Sequence, residues 1–535
     1  MSTLRNLISN VPFPTLPTSK SFREGLTLRN ILGYPLQEGP DAQIRETAWL
    51  DGLRGLAAFF VMIYHFNLSF WYPPAVEAPY GALDTYAFRE FSKTIIYTAY
   101  WRLPIIRVPM TAGHSQVSVF FVLSGFVLSW GPLGNIRAGR SEKVMQGLGS
   151  AVFRRWIRLY LPCFAISLWQ CFELYFGLRY IGGREQKSNI FAQIWDWLLD
   201  SEKFANPFMI DRNKYSSLHG YDWTMWTIPY EFAGSLLVFL IVLATSRFRH
   251  HGKRTLVIFG VVAYACVRAE WTYWLFATGM LLASYVRHHG GFEKLNEKTS
   301  SRARIGYIAL LLLGLLLAGV PEPSEYYDRP GYEWLTHLTP PNWRAVEGGG
   351  RWIWCWSGIL FIYAACHLPG VKRFFELSFM RYLGRISYML YLTHRITLNL
   401  LGERVKHLVF GLCNRRDWIT APDDGSEENG FLTALIYAVL LAIIVPVALV
   451  VAHWAEVLID GPSTRLARRV DDWFLKGSTD TGMNGGILPD AHGRGESVGG
   501  IEMLGRESVE REQGMGLLRN EEEMREIDPR PLPDR

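Results

Sequence analysis

The sequence predicts an all-α protein, a polytopic membrane helix bundle with about ten transmembrane helices. Three observations carry that expectation. Of the 535 residues, 49% are hydrophobic and only 19% charged, a balance too apolar for a string of soluble domains. Stretches near 20 apolar residues recur at roughly 49–71, 115–132, 155–176, 223–245, 254–269, 271–286, 304–320, 352–368, 382–401 and 432–455. Basic clusters fall in alternate connections between them, as the positive-inside rule requires of a chain that crosses a bilayer repeatedly.

Taken in order, the first basic cluster is Arg137, Arg140, Lys143, Arg154 and Arg155, after the second stretch. Arg247, Arg249, Lys253 and Arg254 follow the fourth, Lys294, Lys298, Arg302 and Arg304 the sixth, Lys372, Arg373 and Arg381 the eighth, and Arg465, Arg468 and Arg469 the tenth. The connections between are longer or more acidic, as in Glu322, Glu325, Asp328 and Glu333, or Asp423, Asp424, Glu427 and Glu428. Both termini are therefore expected in the cytoplasm. The fifth and sixth stretches are short, divided only by a turn around Arg268 and Glu270, so the count is uncertain by one or two.

The organisation expected is a cytoplasmic N-terminal segment (1–48), a membrane domain (49–455) and a largely disordered cytoplasmic tail (456–535) rich in Gly, Glu and Arg. Residues 1–48 carry Pro12, Pro14, Pro17 and Pro35 and no apolar core of signal-peptide type, so the first span is expected to act as an uncleaved signal anchor. Of the six cysteines, Cys163, Cys171, Cys266, Cys355 and Cys366 fall in apolar segments without the spacing of a zinc site, so neither a disulfide framework nor a metal is expected. The net charge of +6 is spread over short clusters that read as topology signals, and no nucleic-acid partner is expected.

The chemistry is concentrated in the first apolar stretch. Arg54 and His65 stand eleven positions apart, which returns a helix to within about 20° of its starting direction and separates the residues by about 16 Å along the axis. Asp51 shares the stripe. Polar groups at membrane depth are costly unless paired or wetted, so three on one face point to a working interior. Taken singly, a histidine bonded to a neighbouring helix and a snorkelling arginine are the plainer readings.

Four motifs belong together: LDGLRGLAAFFVMIYHF (50–66), SVFFVLSGFVLS (118–129), RRWIRLYLP (154–162) and LGRISYMLYLTH (383–394). Their combination and order closely resemble acyltransferase family 3, the integral membrane acyltransferases that include bacterial enzymes O-acetylating surface polysaccharides. The resemblance implies about ten transmembrane helices and transfer of an acyl group, commonly acetyl from acetyl-CoA, to a hydroxyl. It also implies that His65 is the catalytic base, that Arg54 is an essential partner, and that Arg155 and Arg158 match the family's R-x-x-R pattern. Independently, Arg154, Arg155 and Arg158 lie at the expected cytoplasmic end of the third span, where guanidinium groups suit the phosphates of acyl-CoA. An ordinary positive-inside anchor is the plainer reading of that cluster.

A catalytic base is usually held by a second group. Glu231, in WTMWTIPYEF, and His394 fall at a depth similar to that of His65, so either is expected to orient it; helix–helix polar contacts are the alternative. Trp226, Thr227 and Glu231 resemble a family W-[ST]-x-x-x-E element. Ser124-Gly125 reads as a close-packing site rather than an acyl carrier, and the Asn67-Leu68-Ser69 sequon sits too near the bilayer to be glycosylated.

The expectation is a membrane O-acyltransferase that takes acyl-CoA as co-substrate and acylates a glycan, glycolipid or lipophilic small metabolite. Trp101, Trp334 and Trp343 are candidates to stack on a sugar ring. The alternative from another class is a transporter or flippase using the same buried charges, against which stands the absence of obvious repeated halves. A third is an acyltransferase fold that has lost activity.

Overall fold

The computed structural model describes residues 33–34, 44–70, 76–84, 95–179, 181, 184–207, 218–248, 250–324, 327–413 and 431–477. The described residues are almost wholly helical. The main helices are α1 Ala48–Phe70, α2 Gly113–Arg137, α3 Ser141–Tyr175, α4 Ile190–Ala205, α5 Thr227–Thr245, α6 His251–Val267, α7 Trp271–His288, α8 Ser301–Ala318, α9 Gly350–His367, α10 Pro369–Phe375, α11 Ser378–Thr397, α12 Glu403–Leu412, α13 Phe431–Ala455 and α14 Gly461–Gly477. One two-residue antiparallel ladder, β1 Leu83–Asp84 with β2 Ile95–Ile96, lies in the connection between α1 and α2. A helix stands at each of the ten apolar stretches. The turn expected between the fifth and sixth is present, with Ala269 at a φ of 56° between α6 and α7.

Among the described residues, four helical segments are long and apolar enough to cross a membrane: Gly113–Arg137, Trp223–Thr245, Ser301–Ala318 and Phe431–Phe474. A fifth is reached by joining Glu347–His367 to Pro369–Phe375, a pair bent by 105°. The segments that fall short include α1 and α11, which carry the polar residues of the motifs and bury them against each other. On α8 the opposite holds, with Ile305, Ile308, Leu312 and Leu313 exposed. Such an apolar exterior suits lipid, not water.

Glycines set the closest helix crossings. A Cβ on Gly55 of α1 would lie 2.2 Å from the Gly384 nitrogen of α11, and one on Gly384 would lie 2.5 Å from the Asp51 carbonyl oxygen. The D-G-L-R-G and L-G-R-I-S-Y motifs are thus two sides of one backbone-to-backbone contact, the geometry that small residues permit. Gly125 and Gly279 do the same for α2 and α7, where an added Cβ would lie 2.0 Å from Phe276 O and 2.1 Å from Val122 O respectively. Around α13, Leu440, Ile444, Ala448 and Ala452 form a four-residue-spaced stripe of buried contacts.

The C-terminal boundary differs from expectation. The chain past residue 455 continues through a π-helical turn, Glu456–Asp460, into α14, which packs along α3. Buried Ala467 and the Phe153–Phe474 edge-to-face contact at 5.6 Å give α14 an apolar seam that the polar composition obscured. The rest of the expected tail, 478–535, lies outside the described residues.

Candidate active site

Gly55 meets Gly384, and His65 meets His394. Each pair is offset by 329 positions, so α1 and α11 run parallel in one register over ten residues. Along α11 the residues at 384, 387, 391 and 394 form a stripe of period 3.5 facing the neighbours of α11, and this is what the SYMLYLTH motif encodes.

Arg54 lies at the start of that stripe. Its Nε donates to Ser387 Oγ at 3.0 Å and its Nη2 to the Gly384 carbonyl at 3.0 Å, with Asp51 Oδ1 at 3.1 Å. Tyr388 donates to the Leu159 carbonyl of α3 and contacts Cys163 Sγ at 3.5 Å. Tyr391 bonds Thr227 Oγ1 at 2.7 Å and donates to the Thr224 carbonyl.

At the far end, His394 Nε2 lies 3.0 Å from His65 Nδ1, with the rings 4.8 Å apart and inclined by 25°. His394 Nδ1 lies 3.2 Å from the Leu390 carbonyl. A carbonyl only accepts, so Nδ1 of His394 carries the hydrogen and Nε2 is the acceptor. His65 Nδ1–H then donates to it, which leaves the lone pair of His65 on Nε2. His394 is fully buried, His65 partly exposed, and the Trp223 ring stands edge-on to His65 at 5.7 Å.

The structure places Glu231 elsewhere. Its Oε1 accepts from Arg155 Nη2 and from Ser124 Oγ, both at 2.6 Å, while Arg155 Nε donates to Ser235 Oγ at 3.0 Å. Of the two residues expected to orient His65, only His394 touches it. Arg155, expected at the donor phosphates, instead balances a buried carboxylate. Counting residues put Glu231 level with His65, but its bond to Arg155 and its closeness to Arg54 place it nearer the Arg54 end of α1, turned to α2 and α3. Ser124 is its hydrogen-bond donor, and the adjacent Gly125 makes the close contact with α7. Glu231→Gln is expected to cost about 3–5 kcal/mol, because it strands the Arg155 charge. A lowered unfolding temperature, recovered in part by Arg155→Met in the same chain, checks this.

The other arginines face acids from the segment beyond the membrane domain. Arg154 Nε lies 3.5 Å from Asp471 Oδ2, Arg385 Nη2 lies 3.1 Å from Glu456 Oε2, and Asp460 is the principal charge facing Arg158. Arg54, Arg154, Arg155 and Arg158 thus share one end of the bundle, about 16 Å along α1 from His65.

Among the candidates for stacking on a sugar, Trp343 is 1% exposed and donates to the Cys266 carbonyl, which removes it from any open pocket. Trp334 is exposed, and Trp101 lines a cavity of about 170 Å³ with Asn67 and Tyr437. Asn67 is 3% exposed, with its amide bonded to Met110 O at 2.9 Å and Tyr437 Oη at 2.7 Å, which makes it a structural residue.

Sequence reasoning missed a group with the order of a hydrolase triad: Ser201 Oγ to His219 Nε2 at 3.2 Å, and His219 Nδ1 to Asp200 Oδ2 at 3.2 Å. Ser201 is 5% and His219 0% exposed. Burial pushes the imidazole down to about 4, too weak a base for acyl chemistry, so the group is a polar clamp on α4. Among the described residues no cluster of His, Cys, Asp and Glu could hold a metal ion.

A helical fold with several apolar spans, a stacked histidine pair at one level and a guanidinium-rich end at another define an integral membrane protein of group-transfer type. A family model described as an acyltransferase domain matches residues 47–453, and the chain belongs to that family, acyltransferase family 3. It is an acyltransferase, which answers the transporter alternative. It is similar to O-acetyltransferase PaAT-1 of Phomopsis amygdali, with 25% identity over 73% of this chain and 78% of that one. Acyltransferase clz18 of Cochliobolus lunatus is 23% identical over 65% of this chain and 82% of its own. Acyltransferase R4 of Phoma sp. is 23% identical over 72% of this chain and 88% of its own. No solved structure matches.

Proposed function

We propose that this acyltransferase is an O-acyltransferase that crosses the membrane about ten times with both termini in the cytoplasm, and that it moves an acetyl or other short acyl group from acyl-CoA to a hydroxyl. The observation that carries the reading is the tautomer chain Leu390 carbonyl, His394, His65, which leaves His65 Nε2 unprotonated on a partly exposed ring. A hydroxyl acceptor needs a base of that kind. The relative named an O-acetyltransferase supports both the acyl group and the oxygen nucleophile.

In the step proposed, His65 Nε2 takes the proton as the acceptor oxygen attacks the thioester carbonyl. The C–S bond then breaks, the imidazolium returns the proton to the departing CoA sulfur, and the ester is released. His394 holds the ring orientation. Arg54, bound to Ser387 and Gly384 and about 16 Å from His65 along the axis, sets the register of α1 on α11. Arg154 and Arg158 receive the CoA phosphates, which must compete with Asp471 and Asp460. The acceptor is a hydroxyl of a glycan, glycolipid or lipophilic small metabolite.

Membranes given radiolabelled acetyl-CoA are expected to yield a labelled ester; flux of an unmodified substrate with no covalent product would sink the reading. Arg154→Ala is expected to raise KM for acyl-CoA about tenfold with kcat unchanged, the loss of one charge-assisted contact to phosphate.

A further inference from the structure

The histidine pair alone does not account for how a proton is held at this depth. When His65 takes the hydroxyl proton, a full positive charge appears on two stacked rings, one of them completely buried. At that depth a fixed, preorganised protein charge stabilises it better than solvent does. The groups facing the pair are Arg395 of α11, His114 of α2 and Asp222 from the turn before α5. Arg395 opposes the developing charge. Of these groups Asp222 alone is acidic; it faces His394 and is shared with Arg395.

Asp222 is built into the roof of the site. It is 1% exposed and caps the 3-10 turn Trp223–Trp226, its Oδ1 accepting from Thr224 N at 2.9 Å and from Thr224 Oγ1. Its Oδ2 accepts from Gln170 Nε2 of α3 at 2.7 Å. Three donors surround it, the set that a carboxylate anion takes. The turn it caps delivers Trp223 edge-on to His65, with the Arg395 guanidinium 4.3 Å over the same indole, and presents the Thr224 carbonyl to Tyr391, one turn before His394. Asp222 therefore acts on the pair twice, through the turn and through its charge.

We propose that Asp222 is a positioning residue of the acyl transfer, the counter-charge that lets the His65–His394 pair carry the proton between hydroxyl and thiolate. The inference rests on His65 being the base. It makes the working unit an acid and two histidines contributed by three parts of the chain, with the carboxylate holding the cationic form without taking the proton itself.

The test uses full-length protein in membranes and separates charge from capping. Asp222→Asn keeps an N-cap acceptor for Thr224 and removes the charge; its amide nitrogen faces Gln170, whose side-chain amide can turn to present its oxygen. The expected result is a kcat at least tenfold lower, an unchanged KM for acetyl-CoA, an acidic limb of the kcat profile moved to lower pH by about one unit, and an unaltered unfolding temperature. Asp222→Ala is expected to lose stability as well, through the cap. An Asn variant with wild-type kcat and pH profile overturns the proposal and leaves Asp222 as a cap, provided His65→Ala is inactive. Should His65→Ala retain turnover, the reading of His65 as the base fails first.

Discussion

Replacing His65 with alanine is expected to lower the acyl-transfer rate by about 10²–10⁴-fold, the range for loss of a positioned general base. KM for acyl-CoA is expected to hold, because the guanidinium-rich end that is proposed to bind the donor lies about 16 Å away along α1. The fold is expected to survive, since His65 is partly exposed and His394, its side-chain hydrogen-bond partner among the described residues, keeps its bond to the Leu390 carbonyl. Single-turnover measurement of labelled ester in membranes, with the unfolding temperature recorded alongside, checks all three. His394→Ala is expected to fall less far, because His65 keeps its lone pair but loses the acceptor that selects which nitrogen carries it. A His65→Ala enzyme as fast as wild type would remove the base from the mechanism and move attention to Tyr64 and His114, whose side chains meet at 3.4 Å nearby.

Gly55→Val is expected to be the most damaging substitution away from the chemistry. Its Cβ would sit 2.2 Å from the Gly384 nitrogen, against backbone that no rotamer change can clear. The helices must part, at a cost of about 3 kcal/mol or more. The Arg54 bonds to Ser387 and Gly384 and the His65 bond to His394 span the same register, so one displacement disturbs both ends of the stripe. Little folded protein is expected in the membrane fraction, and any that remains should be inactive. Gly149→Ala is the control, since an added Cβ there meets nothing within 4 Å. Normal accumulation and turnover of Gly55→Val would show that α1 and α11 do not depend on this contact.

The placement of helices was legible because hydropathy is a local property. Each apolar stretch became a helix, and the short break at Arg268 and Glu270 was visible in the charges alone. The α14 helix was not legible, because its apolar seam is made of few residues, among them Ala467 and Phe474, in a mostly polar segment whose helicity depends on packing against α3. Asp222 was missed for a related reason. It stands in a connection, among residues that look like ordinary turn formers, and acquires its meaning only where α3, α5 and α11 converge.

The sequence by itself determined the class of protein, the positions of its main helices, and the placing of Arg54 and His65 on one face, since periodicity and composition act along a single chain. Counting residues for depth also offered Glu231 and His394 as partners of His65, and it put Glu231 too close to His65. Only the tertiary structure decided between them. Both the depth and the rotation of one helix relative to another are set by packing at sites such as Gly55 and Gly384, and they put Glu231 beside Arg155, toward the Arg54 end, and His394 against His65.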